Sequence, residues 1–200
     1  MTIFIYGERD KSYILDVTKT ELCLSFAYNY LKNASREKKT FLFVCTKKRI
    51  TPIVKWAAKK CGASYIISRW RLGTLTNWKT CHFRIVYFNT LSLLEKTGKT
   101  RGPYTKKENA RLKRVRKNLK RVFGGLKIMR IPDCVIVIDP KHERKAVLKC
   151  VKLEILVVSI LDANANPNLI DIPIPVSATS IQTLKYVLSE LCCAILRYSD

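Results

Sequence analysis

Continuous apolar runs and helical-period segments take turns along most of this chain. The stretch TIFIYGERDKSYILDVT reads as two short extended pieces around a polar turn. In TKTELCLSFAYNYLKNA, Leu22, Phe26 and Tyr30 recur at helical spacing and mark the expected inward face. Thr18 or Thr20 is expected to cap its start, with Glu21 three residues after Thr18 as in a capping box. TFLFVCT at 40–46 is apolar and bounded by charge, the pattern of a strand buried on both faces. TPIVKWAAKKCG reads as a helix with Pro52 in its first turn and Gly62 at its end, and ASYIIS as a short strand. DCVIVIDP at 133–140, EILVVSILD and the Pro-flanked IDIPIP add three strands, the last suited to an edge. KHERKAVLKCVKL and SIQTLKYVLSELCCAILRY are amphipathic helices, the first with Ala146, Val147, Cys150 and Leu153 on one face. Strand and helix in alternation, with strands apolar throughout, mean a parallel α/β sheet with helices on both faces.

The middle of the chain breaks that rhythm. Trp78, Cys81, Ile85 and Phe88 fall at 3-4-3 spacing, and so do Leu112, Val115, Leu119 and Val122. Both series have the a/d spacing of a coiled-coil seam. KTGKTRGPY between them holds two glycines and a proline, a turn. The reading is an antiparallel helical hairpin projecting from the α/β body, held by sealing its seam or by docking. Each helix alone is near the ~12–15 residue margin for stability in water.

Charge changes the picture from fold to partner. The 200 residues carry 38 Lys and Arg against 15 Asp and Glu, a formal +23. A surface like that repels itself when free and implies a polyanionic partner. No apolar run reaches the ~18 residues needed to span a bilayer, which disfavours a membrane role. MTIFIYGERD has neither the charged n-region nor the apolar stretch of a secretory signal, and its early Glu8 and Asp10 are unlike a transit peptide.

The charge concentrates in TKKENARLKRVRKNLKRVFGG, where only Glu108 opposes nine cations. A solvated helix face normally alternates sign so that i,i+4 pairs form. Here Lys113, Arg116, Lys117, Lys120 and Arg121 repeat one sign at i,i+3 and i,i+4. Each such pair costs a few tenths of a kcal/mol, which a phosphate backbone would relieve. With ~6 phosphate contacts, log K falls by about five units per decade of salt on duplex-like sites. Two further basic spots stand out. CTKKRITP puts Lys47, Lys48 and Arg49 just past the first buried strand, the usual ligand edge of an open α/β sheet. SRWRLGTLTNWKT interleaves Arg69 and Arg71 with Trp70 and Trp78, residues able to stack on unpaired bases. The competing reading is that one or both tryptophans pack at the hairpin root.

Candidate catalysis is thin. There is no G-x-G-x-x-G and no Walker loop, so no nucleotide cofactor is expected. The eight cysteines form no C-x-x-C pair and no zinc spacing, and most sit in apolar segments as small hydrophobes in a reduced compartment. His82 lies in the hairpin and His142 opens a body helix among charges. Asp133, Asp139, Asp162 and Asp171 sit at strand ends and loops, where capping is the ordinary role. No metal site is expected.

RWRLGTLTNWKT, then YTKKENARL, then the run from FGGLKIMRIPDCVIVIDP through DANANPNLIDIPIP together resemble the ribosomal protein uS2 family, the bacterial-type small-subunit protein S2. The resemblance runs in order from about Ile3 to Tyr198. It implies a flavodoxin-like three-layer sandwich with a parallel five-stranded sheet and an inserted antiparallel coiled-coil hairpin. The body would comprise residues 1–75 and 124–200 and the hairpin 76–123. It implies a structural constituent of the small ribosomal subunit that contacts 16S-type rRNA on the solvent side, between head and body. Neighbouring small-subunit proteins would be its other partners, with an S1-like protein where the ribosome has one. No enzymatic role, cofactor or small-molecule substrate is implied. The residues expected at RNA are Lys47, Lys48, Arg49, Arg69, Arg71, Lys79, Arg84, Lys106, Lys107, Arg111, Arg114 and Lys117.

The sequence departs from the family pattern in places. Met1 stands almost at the first hairpin, where the family has an opening segment with V-H-F-G-H and W-N-P-K-M. Cys45, and a position near Arg71, stand where glycine is usual, and the hairpin connection is short. A compact, Lys-rich chain without a transit peptide resembles the product of a plastid genome, ribosome-bound in the stroma. A mitochondrion or a bacterial cytoplasm is the alternative. The rival functions are an RNA-modifying or nucleotide-dependent enzyme on the same body, and a membrane-surface or adhesion module.

Overall fold

The computed structural model describes residues 1–9, 12–71, 73–97, 105–127, 130–178 and 180–196. The polar turn at Asp10 and Lys11 and most of the hairpin connection, 98–104, lie outside them. The chain opens with β1 (Ile5–Arg9) and β2 (Ser12–Leu15), an antiparallel pair. Then come α1 (Val17–Arg36), β3 (Phe41–Val44), α2 (Thr51–Lys60) and β4 (Ser64–Ile66). Two long helices follow, α3 (Trp78–Lys96) and α4 (Lys106–Phe123). The chain closes with β5 (Cys134–Ile138), α5 (Arg144–Lys152), β6 (Leu156–Leu161), β7 (Ile172–Pro175) and α6 (Ile181–Leu196).

Strands β3 to β7 make one parallel sheet in the order β4-β3-β5-β6-β7. This is the doubly wound, flavodoxin-like order, with its reversal between β3 and β5. The pleat sends alternate side chains to opposite faces. Phe41, Phe43, Ile136, Ile138, Val158 and Ile160 meet α1, α2 and α6 on one side. Leu42, Val44, Val135, Val137 and Val157 meet α5 and the bases of α3 and α4 on the other. All five side chains of β5 are buried, its valines and isoleucines each worth about 1.5–3 kcal/mol, so the sheet centre carries the fold. As expected, IDIPIP supplies the edge strand β7. The other edge, β4, is covered by the chain leaving α4. Tyr65 N–H donates to Gly125 O at 2.9 Å, and Lys127 N–H to Ser64 Oγ at 2.9 Å. A Cβ on Gly125 would run into the carbonyl oxygen and ring of Tyr65, so only glycine fits this approach.

The structure corrects two expectations about α1. Its N-cap is Asp16, whose carboxylate accepts from Thr18 N–H at 3.0 Å and Lys19 N–H at 3.5 Å. The threonines are otherwise engaged: the Thr18 hydroxyl also donates to Asp16, and that of Thr20 to Pro175 O at 2.7 Å. The inward face also differs. Leu22 and Phe26 are 71% and 63% exposed, while Ala27, Leu31 and Ala34 are buried. Tyr30 alone of the expected trio packs against the core. Small side chains let α1 lie close to α6, where Ser35 donates to Ile195 O at 2.7 Å. Helix packing chose the alanine stripe over the more hydrophobic one.

Helices α3 and α4 pack antiparallel. Leu91 and Glu95 line one small cavity with Asn109, Leu112 and Arg116, and Arg84 and Tyr87 line a cleft with Asn118 and Val122. The seam falls where its spacing places it. Cys81 and Ile85 are buried in the body's second core with Leu119 and Val122 packed on them, so the hairpin is docked at its root. Farther out, Leu91 is buried and Leu112 and Val115 are half-buried. Helices of 19 and 18 residues hold under three heptads, and the pair is a helical hairpin.

Candidate nucleic-acid interface

Local chemistry builds α4 from its start. Thr105 and Glu108 form a capping box: Glu108 N–H donates to Thr105 Oγ1 at 3.3 Å, and Thr105 N–H donates to Glu108 Oε2 at 2.9 Å. The Thr105 backbone donor, with its hydroxyl, holds the Glu108 carboxyl below its ordinary range. The one acid of the basic run therefore serves the helix end and pairs with no cation among the described residues. Counting 100° per residue, the seam from Leu112 to Phe123 occupies one side. Lys106, Lys107, Lys113, Arg114, Lys117, Lys120 and Arg121 fill the opposite half and Arg111 lies at its edge, all exposed. Arg116, beside the seam, pairs with Glu95 of α3. It is the only α4 cation with a carboxylate partner among the described residues. Lys79 and Arg84 extend the positive surface along exposed positions of α3.

The second basic spot lies at the reversal of strand order. Lys48 and Arg49 are exposed beyond β3. Lys47 pairs with Asp139 at the end of β5, and its side chain is 39% exposed. Asp139 itself is buried at φ 60°, a left-handed conformation that Asp tolerates better than most residues. Beside it, buried Glu143 accepts from Thr46 N–H and Thr46 Oγ1, both at 2.6 Å. In a nucleotide-binding sheet the loop N–H groups here would meet phosphate. In this chain a carboxylate already holds the Thr46 N–H. Lys48 and Arg49 stand free of this network; Lys47 is tied into it.

The third spot is the hairpin root. Trp70 and Trp78 both pack against the second core, which decides between stacking and packing in favour of packing. Arg69 is exposed nearby. Arg71 and Arg84 line one cleft of about 430 Å³ with Tyr87 and Val122. The chain brings these two guanidines together across 13 residues of sequence, a pairing the linear pattern does not show.

The carboxylates at strand ends all have structural partners. Asp133 accepts from Thr40, Asp171 accepts from Val157 N–H at 2.7 Å, and Asp162 from Ala163 N–H at 2.9 Å. Among the described residues no group of His, Cys, Asp and Glu could hold a metal ion, and no helix is long and apolar enough to cross a membrane. Sequence reasoning missed an apolar surface. Ile3, Tyr6, Tyr13 and Ile14 of the opening segment are exposed, as are Val17, Leu22 and Phe26 of α1. Tyr13 and Val17 line an open cleft of about 440 Å³ with Leu24, Pro175 and Tyr186. The signal was present as a second apolar stripe on α1, more than one buried face needs.

Comparison with known proteins shows a family match over nearly the whole chain. Residues 1–197 match the family model described as Ribosomal protein S2. The chain is 42% identical over 194 residues to "Small ribosomal subunit protein uS2c" of Emiliania huxleyi, covering 96% of this chain and 84% of the relative. It is 39% identical over 200 residues to the uS2c protein of Cyanophora paradoxa, covering 100% and 85%. With "Small ribosomal subunit protein uS2" of Synechococcus sp. (strain RCC307) it shares 41% over 196 residues, covering 98% and 83%.

Proposed function

The chain belongs to the ribosomal protein S2 family, and from that premise we propose that it is a structural constituent of the small ribosomal subunit whose hairpin and basic loops hold rRNA. The observation that carries the reading is the unopposed half of α4, eight exposed cations from Lys106 to Arg121 with no carboxylate partner among the described residues. Residues 76–123 act as an arm inserted in an α/β body of 1–75 and 124–200. Lys106, Lys107, Arg111, Arg114 and Lys117 on the arm meet phosphates, as do Lys79 and Arg84 beside them. Arg69 and Arg71 at the root and Lys48 and Arg49 beyond β3 add contacts, with Lys47 secondary because Asp139 neutralises it. A row of like charges is self-repelling when free and favourable against a sugar-phosphate chain, where counterion release supplies the free energy.

The protein is not an enzyme on this reading. The strand-end aspartates hold backbone groups, and at the strand reversal Asp139 pairs with Lys47 and Glu143 accepts from Thr46. Other partners are neighbouring small-subunit proteins, with an S1-like protein among them where the ribosome has one. The exposed apolar surface on β1, β2 and α1 supports protein contact of this kind. The plastid-type uS2c relatives support a place on ribosomes of the plastid stroma. Gradient sedimentation at low and high salt tests the assignment. Co-migration with the small subunit, and release at high salt, is the expected result. A chain that stays at the top of the gradient in both conditions would refute it.

A further inference from the structure

A further cationic site lies at the hairpin root, distinct from the Arg71 cleft though Val122 lines both. Lys55 of α2 and Lys120 and Arg121 from the last turn of α4 converge on a cavity of about 270 Å³. Its other walls are Tyr65, Ile67, Ser68 and the Gly124–Gly125 turn. All three cations are exposed and none has a carboxylate partner among the described residues. Ser68 contributes something charge alone does not: its hydroxyl is buried and has no hydrogen-bond partner. A buried hydroxyl without a partner costs free energy, and most native structures avoid it. The cavity is also built to a fixed shape. Gly125 is pressed against Tyr65, and Tyr65 N–H is tied to Gly125 O, so the end of α4 cannot drift from the sheet edge.

Three cations around a pocket with one spare donor select a tetrahedral oxyanion. We propose that this pocket seats one backbone phosphate of the RNA, with Ser68 donating to a phosphate oxygen and Lys55, Lys120 and Arg121 neutralising it. The inference rests on the reading of the hairpin as an RNA-binding arm. Lys120 and Arg121 continue that arm's basic half to its base, so a strand lying along α4 reaches the pocket without leaving the protein. The pocket then fixes where the strand sits along the arm, a task that a uniform row of lysines cannot perform. An acidic segment of a protein neighbour would satisfy the cations, but continuity with the arm favours RNA.

The test measures binding of the full chain to a transcript of the small-subunit rRNA from the genome that encodes it. Ser68→Ala should weaken binding about tenfold, the worth of a hydrogen bond to a charged group, with an unchanged salt slope. Its thermal midpoint should not fall, because the hydroxyl it removes has no protein partner. The double variant Lys55→Gln, Arg121→Gln should lower the slope of log K against log salt by roughly 0.7–0.9 per cation. Lys141→Gln, Lys145→Gln on the α5 side is the surface control, and Arg111→Gln, Arg114→Gln, Lys117→Gln tests the arm. If Ser68→Ala binds like the parent and the pocket pair loses no more than the control pair, the inference fails while an effect of the arm variant keeps the function. If the arm variant also binds like the parent, both fall. If the Ser68 effect appears with a poly-Glu peptide and not with RNA, the pocket takes protein carboxylates and the inference is overturned.

Discussion

Thr40 and Asp133 clasp each other across the N-terminal ends of β3 and β5. Thr40 N–H and Thr40 Oγ1 both donate to Asp133 Oδ2, at 2.7 and 2.8 Å, and Asp133 N–H returns to Thr40 O at 3.0 Å. At the opposite ends of the same two strands, Thr46 donates twice to Glu143. The central strand pair is thus pinned at both ends by a threonine and a carboxylate more than 90 residues apart in sequence. The chain between them, hairpin included, leaves and returns to a strand pair held at both ends.

The clasp has a pH signature. Partial burial raises the Asp133 carboxyl, but Thr40's two donors, with Arg130 and Lys39, outweigh it and leave the group below its ordinary value. A lowered folded pKa means stability that is present above the unfolded value near ~3.9 and lost as pH falls through the folded value. Asp133→Asn should cost about 1 kcal/mol at neutral pH. Its urea midpoint should converge on that of the parent as the solution is acidified below pH ~3.9. Parallel curves across that range would show that the carboxylate contributes nothing.

On α4, binding and stability should move in opposite directions. The triple change Arg111→Gln, Arg114→Gln, Lys117→Gln removes like charges at i,i+3 and i,i+4, each pair costing a few tenths of a kcal/mol. The free protein should gain slightly in thermal midpoint. Filter binding to rRNA should weaken, with the salt slope reduced by roughly 2–3.

Gly125→Ala should be among the most damaging single-methyl additions in the chain. The new Cβ meets the Tyr65 backbone and ring, so β4 or the end of α4 must move. A loss of about 1–3 kcal/mol is expected in denaturant unfolding. The same change at Gly7, which has open space around it, serves as the comparison.

The thiols should react in an order set by burial. Desolvation pushes Cys134 and Cys150 up to about 12 and Cys45 up to about 11, so none forms appreciable thiolate at pH 8. Cys23 and Cys193 are the partly exposed pair. Native alkylation at pH 8 followed by peptide mass analysis should label these two first. Cys45, Cys134 and Cys150 should label only on unfolding.

The sheet was legible because strands buried on both faces are almost wholly apolar, as in CVIVI and, with Ser159 its one polar residue, LVVSIL. The helical pair was legible because its seam and its charges sort cleanly around α4. The misreadings share a cause. Leu22 and Phe26 outrank Ala27 and Ala34 in hydrophobicity, yet the close approach of α6 rewards small side chains. Asp16 took the cap from Thr18 because its carboxylate reaches two donors at once. The Lys47–Asp139 pair joins residues that only the parallel pairing of β3 and β5 brings together, so no local pattern announces it. The pocket of Lys55, Ser68 and Arg121 was hidden for the same reason, since three separate segments meet there.

The apolar side chains on the outside of α1 bear on the life of the newly made polypeptide. A copy without a particle to join carries both an oily flank and an excess of positive charge. A surface of that kind favours association with its own kind and, through its charge, with polyanions. Synthesis in step with ribosome assembly, or swift removal of surplus copies by proteases, is the condition under which such a surface is tolerable in a crowded compartment.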